Sequence, residues 1–335
     1  MDGIMLKHCV RKSHRLSSVL SRLLMVIGID VLFNFLQHSR HRSNLVKYSR
    51  GTNLVNVSRV VIAKNVSRNL KAAIEKSLNL INDFKNLITS DSAVLVKPNM
   101  GFSNVDANTD PRVIIELVKL IKNNYRPRKI VVADAAVRGR DTLYNFTVMN
   151  LKNKLEKLGV LVIDLKRTKE TLYVRVNGIK LRSVKVYKTV LDFDVVLSVP
   201  KLKRHAETKV TISLKNMMGI LPDDEKGRFH VLDIHSCIAD LNKVFRPDIS
   251  IIDAINVMIH SGPGHGDMVY ADELIISKDP VAADLIAAAE LFKLEGVMNP
   301  LDEALNIEHI IKACQLGIGH CDLNRIEIKE LKSYE

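Results

Sequence analysis

Short runs of β-branched residues alternate with amphipathic helical patterns along most of this chain, and the alternation restricts its fold more than any other feature. Residues 60–63, 93–96 and 129–133 have the composition and length of buried strands. Apolar side chains recur at helical spacing over residues 70–84, and Asp110-Pro111 is typical of a helix start. The alternation predicts a layered α/β fold, a largely parallel sheet with helices on both faces, in one body or in two lobes.

The same alternation continues to the end of the chain. Gly159 follows a helical stretch, as a left-handed helix cap would, and Asn177-Gly178 is a typical hairpin turn. The remaining predictions are strands at residues 160–164, 195–199, 249–252, 274–277 and 325–328, a hairpin over 172–182, and helices over 110–122, 141–158, 232–245, 280–294 and 301–316.

Residues 1–55 differ from the rest of the chain. The net charge of the chain is +13, and its first fifty residues carry nine Lys or Arg against two Asp. Arg22 and Asp30 limit the uninterrupted apolar run to residues 23–29, whereas a membrane span needs about 20 residues. No small-residue cleavage site of a signal peptide follows Leu36. We expect a basic extension, either an amphipathic helix or a poorly ordered segment or an artefact of the start codon, with membrane-surface contact as the alternative. The α/β domain then covers residues 56–335.

The most informative stretch is VVLSVPKLKRHAETKVTISLKNMMGILP, residues 195–222. A buried strand stops at Pro200, and Lys201, Lys203 and His205 follow at its carboxyl end, where open α/β sheets bind their ligands. An anion is the natural partner of such a set of donors. The alternative is a basic surface loop followed by an amphipathic helix. The apolar residues around Lys215 and Asn216 leave little surface for solvent, so we expect both side chains to be partly buried and to need partners.

Polar residues also follow other predicted strands. Lys97-Pro98-Asn99, Asp134 and Asp253 come directly after strands, as Lys201 does. If these strands are parallel, the side chains converge on one rim of the sheet and form a binding crevice there. The alternative for each aspartate is a turn or helix-capping residue, with Lys97 paired to one of them.

The loop SGPGHGD, residues 261–267, is a second candidate site. Its three glycines permit a close backbone approach, as in phosphate-binding nests, and Gly264 and His265 are its candidate contacts. His260, His265 and Asp267 are the alternative, as metal ligands. Because a third strongly placed ligand is missing, we predict no metal site.

Four cysteines occur, at positions 9, 237, 314 and 321, and none are paired at two-residue spacing. This spacing predicts neither a disulfide framework nor a structural zinc site, and it favours a reducing cytoplasm.

Several separate motifs resemble the Domain of Unknown Function 362 family. They are KLKRHAETKVTISLKNMMGILP, VLVKPNMG at residues 94–101, TDPRVIIELVKLIK from Thr109, PDISIIDAINVM, SGPGHG and SKDPVAADLIAA. The resemblance extends from about residue 57 to the end and implies the fold of that family rather than an activity. Some members carry ferredoxin-like iron–sulfur segments with closely spaced cysteines, and this chain lacks that cysteine pattern.

The residues together predict an enzyme or binding protein for a small anionic metabolite, a carboxylate or a phosphate. His205, as proton-transfer group, and Lys215 are the candidate catalytic residues. The candidate substrate-binding residues are Lys97, Asn99, Asp134, Lys201, Lys203, Asn216, Asp253, Gly264 and His265. Whether the protein is an enzyme stays open at this point.

Two other functions are alternatives. A nucleic-acid-binding protein would use the basic extension, but aromatic residues make up only 5% of the chain and Trp is absent, which disfavours base stacking. An electron-transfer accessory would need a separate iron–sulfur partner.

Lysine and histidine on loops between α/β lobes are also faintly similar to the lactate racemase family, where such residues hold a nickel-pincer cofactor. No residue is carried across from that family, and the cofactor stays unknown.

Overall fold

Strands rich in Val, Ile and Ala form the centre of the molecule. The structure is a computed structural model that describes residues 56–332 except Asn82, so the predicted basic extension lies outside the described residues. The strands are β1 (Ser58–Lys64), β2 (Ala93–Pro98), β3 (Lys129–Asp134), β4 (Leu161–Asp164), β5 (Thr171–Arg175), β6 (Ser183–Tyr187), β7 (Val195–Val199), β8 (Lys201–His205), β9 (Lys209–Thr211), β10 (Ile249–Ile259), β11 (Asp267–Ser277) and β12 (Ile326–Lys332).

Ten of these strands form one mixed, largely parallel sheet, as the alternation predicted. Its order is β12-β1-β11-β10-β7-β2-β3-β4, and β8 and β9 join it through β10. Adjacent strands on the main path are parallel except at β11, which runs antiparallel to both β1 and β10. Strands β5 and β6 form the separate antiparallel hairpin predicted around Asn177-Gly178. Every residue of β2 and β7 is buried, which requires cover on both faces of the sheet.

Helices supply this cover. They are α1 (Leu70–Leu80), α2 (Phe84–Leu87), α3 (Pro111–Asn124), α4 (Thr142–Val148), α5 (Leu151–Lys157), α6 (Ser213–Asn216), α7 (Asp223–Leu232), α8 (Ile234–Val244), α9 (Pro280–Leu294), α10 (Pro300–Leu305) and α11 (Glu308–Gln315). Alternate residues of β1 enter two different cores, Val60 in one and Val61 in the other. Ile114 of α3 packs in the core that contains Val61, and Leu285 of α9 packs in the other. The predicted helical layers on both faces are therefore confirmed.

Long predicted helices are interrupted at particular residues. The predicted helix over 141–158 is wrong because Asn150 adopts a left-handed conformation, φ 50°, which separates α4 from α5. Residue 232 belongs to α7 rather than to the next helix, because the Asp233 carboxylate accepts hydrogen bonds from the His235 and Ser236 N–H groups and begins α8. The helix over 301–316 is likewise two helices, separated at residues 306 and 307.

The segment after Pro200 is not a loop. Its residues continue the sheet as β8, parallel to β10, and return as β9, antiparallel to β8. Because side chains alternate along a strand, Lys203 and His205 point to the same face. Strand β10 is also longer than predicted, since it pairs with β11 beyond a bulge between Ala254 and Asn256. Asp253 therefore lies within this strand and not at its end.

The structure contains a disulfide bond that cysteine spacing did not predict. Cys314 lies in α11 and Cys321 follows a turn in which Gly317 has φ 70°, and their Cα atoms are 5.9 Å apart. The turn brings the two cysteines together, so a search for cysteines two residues apart does not find this pair. Among the described residues, no helix has both the length and the apolar character needed to cross a bilayer.

Candidate functional site

A cavity of about 300 Å³ lies at the carboxyl edge of the parallel strands. Asn99 follows β2 and Asp134 closes β3, and these neighbouring parallel strands end at the same edge of the sheet. Strand β8 adds Lys203 and His205 to the lining. Six predicted site residues line the cavity: Asn99, Asp134, Lys203, His205, Lys215 and Asn216.

A buried ion pair lies at the base of this cavity. Lys97 Nζ donates to Asp134 Oδ1 at 2.7 Å, and the Met100 N–H donates to Asp134 Oδ2 at 2.8 Å. Burial lowers the pKa of Lys97, and the neighbouring Asp134 carboxylate opposes that shift. Lys97 is completely buried and does not line the cavity, and its charge is matched by Asp134.

The amide of Asn216 holds this ion pair in position. Its Oδ1 accepts from Lys97 Nζ at 3.0 Å, and its Nδ2 donates to the Lys97 carbonyl and to Ser198 Oγ, both at 3.0 Å. All the strong hydrogen-bonding positions of Asn216 are therefore occupied, and its role is to orient neighbouring groups. The predicted burial of Asn216 and its need for partners are confirmed.

Gly219 packs directly against the same pair. A Cβ atom at this position would lie 2.0 Å from Asp134 Oδ1 and 2.5 Å from Lys97 Nζ, far inside contact distance. The Gly219 carbonyl also accepts from the Ala135 N–H at 2.9 Å, which ties this turn to the end of β3. Only glycine permits so close an approach.

Two lysines of the lining donate to backbone carbonyls. Lys203 Nζ donates to the Ala107 carbonyl at 2.6 Å and lies 4.8 Å from the centre of the Phe102 ring. Lys226 Nζ donates to the Ala135 and Ala136 carbonyls at 2.8 and 2.7 Å. Burial lowers the pKa of Lys203 to about 7, assisted by the like charges of Lys201 and Lys215, and lowers that of Lys226 to about 8.

Lys215 differs from both. Its side chain is only 8% exposed, and the hydrogen-bond contact of its Nζ within the described residues is the Met218 sulfur at 3.7 Å. Burial lowers the pKa of Lys215 to about 8, and the Glu207 carboxylate partly opposes this shift. The predicted burial of Lys215 is confirmed. The predicted partner is not an oxygen atom of the described residues, because the contact of Nζ there is the Met218 sulfur.

His205 is held in one orientation by its own hairpin. Its Nδ1 faces the Glu207 and Thr208 N–H groups at 3.2 and 3.3 Å, so Nδ1 must carry a lone pair. The neutral ring then carries its proton on Nε2 and can donate it as a hydrogen bond. Burial lowers the pKa of His205 strongly, and the charges of Lys215 and Lys203 lower it further. The ring is thus a neutral donor near pH 7.

Two polar oxygens at the lining have no hydrogen-bond partner among the described residues. They are Asn99 Oδ1 and the Thr211 hydroxyl. Because a buried polar atom without a partner is costly, both atoms are positions where a water molecule or a polar ligand would be favourable.

Four predicted site residues lie elsewhere. Lys201 and Asp253 form a separate buried pair, 3.2 Å apart, because β10 continues past Asp253 and that carboxylate also accepts from the Asp110 N–H at 2.8 Å. Gly264 and His265 do not line the cavity, and both contact Asn104 instead. Their loop contributes only Pro263 to the lining. Within residues 56–332 without Asn82, no three His, Cys, Asp or Glu side chains are placed to hold a metal ion.

Three charged or titratable residues that were not predicted also line the cavity: Arg138, Lys226 and His230. Arg138 lies four residues after the end of β3. The search for polar residues at strand ends, which identified Asp134, would have found it if extended by one turn. Lys226 and His230 lie on α7, whose charged sequence is typical of a solvent-exposed helix. His230 Nδ1 is 2.7 Å from Glu207 Oε2 and joins this helix to the hairpin of His205.

Two comparisons with known proteins show what this chain is similar to. A thylakoid-associated protein of Synechocystis sp. is 25% identical over 228 residues, which cover 65% of this chain and 68% of that protein. Residues 94–289 match the family described as Domain of unknown function (DUF362). The matched residues include the ends of β2 and β3 and the β8–β9 hairpin, and they make up more than half of the chain. The chain therefore belongs to the DUF362 family, as its motifs indicated.

Proposed function

We propose that the cavity binds a small anionic metabolite, a carboxylate or a phosphate. The observation that carries the proposal is the buried ammonium group of Lys215, which has a sulfur contact but no oxygen acceptor among the described residues. A buried charge without a hydrogen-bonded oxygen partner is costly, and an anion in the cavity would reduce that cost.

The charges of the lining support an anion rather than a cation. Lys203, Lys215, Lys226 and Arg138 are basic, and Asp134 is the acidic residue among the described lining side chains. Asp134 is already neutralised by Lys97 at 2.7 Å. A ligand therefore meets an excess of positive charge in a partly desolvated space, where electrostatic attraction is stronger than in water.

The remaining groups would orient the ligand. His205 would donate a hydrogen bond from Nε2, and Thr211 would donate one from its hydroxyl. Asn99 Oδ1 would accept a hydrogen bond from a hydroxyl or a protonated oxygen of the ligand. In this proposal His205 binds and polarises the ligand, and it would accept a proton only after giving up the one on Nε2.

Burial of the lysines favours a small molecule over a nucleic acid. Lys203 is 1% exposed and Lys215 is 8% exposed, so the phosphates of a polymer backbone could not reach them. Nucleic-acid-binding proteins instead present their basic residues on exposed faces. The cytoplasmic location and a separate redox partner stay predictions from the sequence.

Lys215→Met tests the proposal, because it keeps the length of the side chain and removes the charge. We expect its affinity for phosphate or succinate, measured by calorimetry, to fall about tenfold to a hundredfold, since a hydrogen bond to a charged group contributes about 1.5–3 kcal/mol. The matched control is Lys188→Met, which removes an exposed lysine paired with Glu170 at 2.9 Å. Equal affinities of the two variants for every anion would contradict the proposal.

A further inference from the structure

Lys215 and Lys226 form a natural comparison within one cavity. Both are buried, and burial lowers the pKa of each to about 8. Lys226 donates to two carbonyl oxygens at 2.8 and 2.7 Å, whereas Lys215 contacts a sulfur atom at 3.7 Å. The amine of Lys226 is therefore engaged by two carbonyl oxygens. The amine of Lys215 makes no hydrogen bond to an oxygen among the described residues.

The backbone that carries Lys215 is rigidly anchored. Asp284, completely buried on α9, accepts from the Ser213 N–H at 2.8 Å and from the Leu214 N–H at 2.9 Å. Asn216, the next residue after Lys215, is held by the hydrogen bonds to Lys97 and Ser198. The backbone from which the Lys215 side chain extends is thus fixed relative to the cavity, which limits the positions from which its amine can approach a bound ligand.

We propose that Lys215 forms an imine with a small oxo acid whose carboxylate lies close to its carbonyl group. This inference rests on the proposed anion site, since the carboxylate would occupy it. Lys203 and Lys215 both line the cavity. The carboxylate would stabilise the charged form of Lys203 and be bound by it, while the amine of Lys215 reaches the adjacent carbonyl carbon.

The reaction balances without a further reagent. The lone pair of neutral Nζ attacks the carbonyl carbon, the C–N bond forms, and the C=O π electrons move to the oxygen. That oxygen takes up protons that the nitrogen releases and leaves as water, so that amine and carbonyl compound become imine and water. His205 Nε2–H would donate a hydrogen bond to the carbonyl oxygen as it gains negative charge. Since burial lowers the pKa of Lys215, a useful fraction of the amine is neutral near pH 8.

Reduction with borohydride tests the inference, because it converts an imine into a stable secondary amine. The full chain would be incubated with pyruvate or glyoxylate and borohydride, digested, and mapped by mass spectrometry. We expect the adduct at Lys215 and little at Lys226, which is the internal control. Lys215→Arg and Lys215→Met should both abolish it, and Lys188→Arg, which keeps an exposed surface pair, should not.

The outcomes separate this inference from the proposed function. Adducts at Lys226 or at surface lysines to the same extent as at Lys215, or no adduct at all, would overturn the imine. Lys215→Arg should still be stabilised by phosphate against thermal unfolding, because it retains the positive charge. Stabilisation of the wild type by phosphate without an adduct refutes the imine alone. Absence of both effects refutes the anion site as well.

Discussion

Lys97 and Asp134 illustrate how a buried charge is maintained in this protein. Their mutual attraction alone would not repay the loss of hydration. The Asp134 carboxylate also accepts from the Met100 N–H at 2.8 Å, and the Lys97 ammonium also donates to Asn216 Oδ1 at 3.0 Å. These additional bonds satisfy the remaining polar capacity of the pair. Lys97 therefore lies beneath the cavity, in contact with lining residues, and does not itself line it.

Lys97→Met should destabilise the protein by about 3–5 kcal/mol, because it leaves the Asp134 carboxylate buried without a counter-charge. The free energy of unfolding would be measured by urea denaturation at pH 7. The control is Lys188→Met, which breaks an exposed ion pair and should cost less than about 1 kcal/mol. The double variant Lys97→Met with Asp134→Asn should recover part of the loss. Similar losses for Lys97→Met and Lys188→Met would show that the buried pair is not required.

At the scale of elements, short segments rather than long helices build the cavity. The β8–β9 hairpin supplies Lys203, His205 and Thr211, and the four-residue helix α6 supplies Lys215. The turn at residues 217–220 then passes against the ends of β2 and β3 through Gly219. These segments are tied to the sheet at several points, so we expect a substitution in one of them to affect the others.

Gly219→Ala should abolish anion binding and destabilise the fold by about 1–3 kcal/mol or more, because the new Cβ would overlap the buried ion pair. The control is Gly178→Ala, whose Cβ would lie 2.1 Å from the buried Asp240 carboxylate, away from the cavity. Urea denaturation should show a comparable loss of stability in both variants. Calorimetry at low temperature, where both are folded, should show binding only in Gly178→Ala. Normal binding by Gly219→Ala would contradict the close approach.

For the molecule as a whole, the proposed binding of an anion would be coupled to protonation of the cavity lysines. Burial lowers the pKa of Lys203 to about 7 and those of Lys215 and Lys226 to about 8. Lys201 and Lys215 face Lys203 and lower its pKa, Asp134 raises it, and Glu207 raises that of Lys215. An anion stabilises the charged ammonium form, so it raises these pKa values in the complex. Binding above about pH 7 must therefore take up protons.

Sulfate is a suitable probe, because its own charge is constant in this range. We expect proton uptake on sulfate binding to be near zero at about pH 6, where the lysines are already charged, and to rise toward about pH 8–9. Affinity should fall as the pH rises through the same window. Calorimetry in buffers of different ionisation enthalpy measures the uptake. Lys215→Met should lose part of it, and an uptake independent of pH in the wild type would contradict the coupling.

Much of the fold was predictable because its signals are local. Runs of β-branched residues identified β2, β3 and β7. Asp110-Pro111 marks the observed start of α3, and the helix predicted from residue 280 is α9. The interruption of a helix by left-handed Asn150 was not predictable, since Asn is tolerated in helices and only packing decides which conformation it adopts. Cys314 and Cys321 were missed for a related reason, because the turn between them brings them together.

Periodicity and apolar surroundings act over a few residues, so they were enough to predict the layered α/β architecture and the burial of Lys215 and Asn216. Which charged groups meet was not predictable in this way. In the folded protein Lys201 pairs with Asp253 away from the cavity, Lys97 pairs with Asp134, and α7 places Lys226 in the lining. The physical reason is that these contacts join residues far apart in the chain. Strand register and helix docking determine their distances, and no local pattern records them.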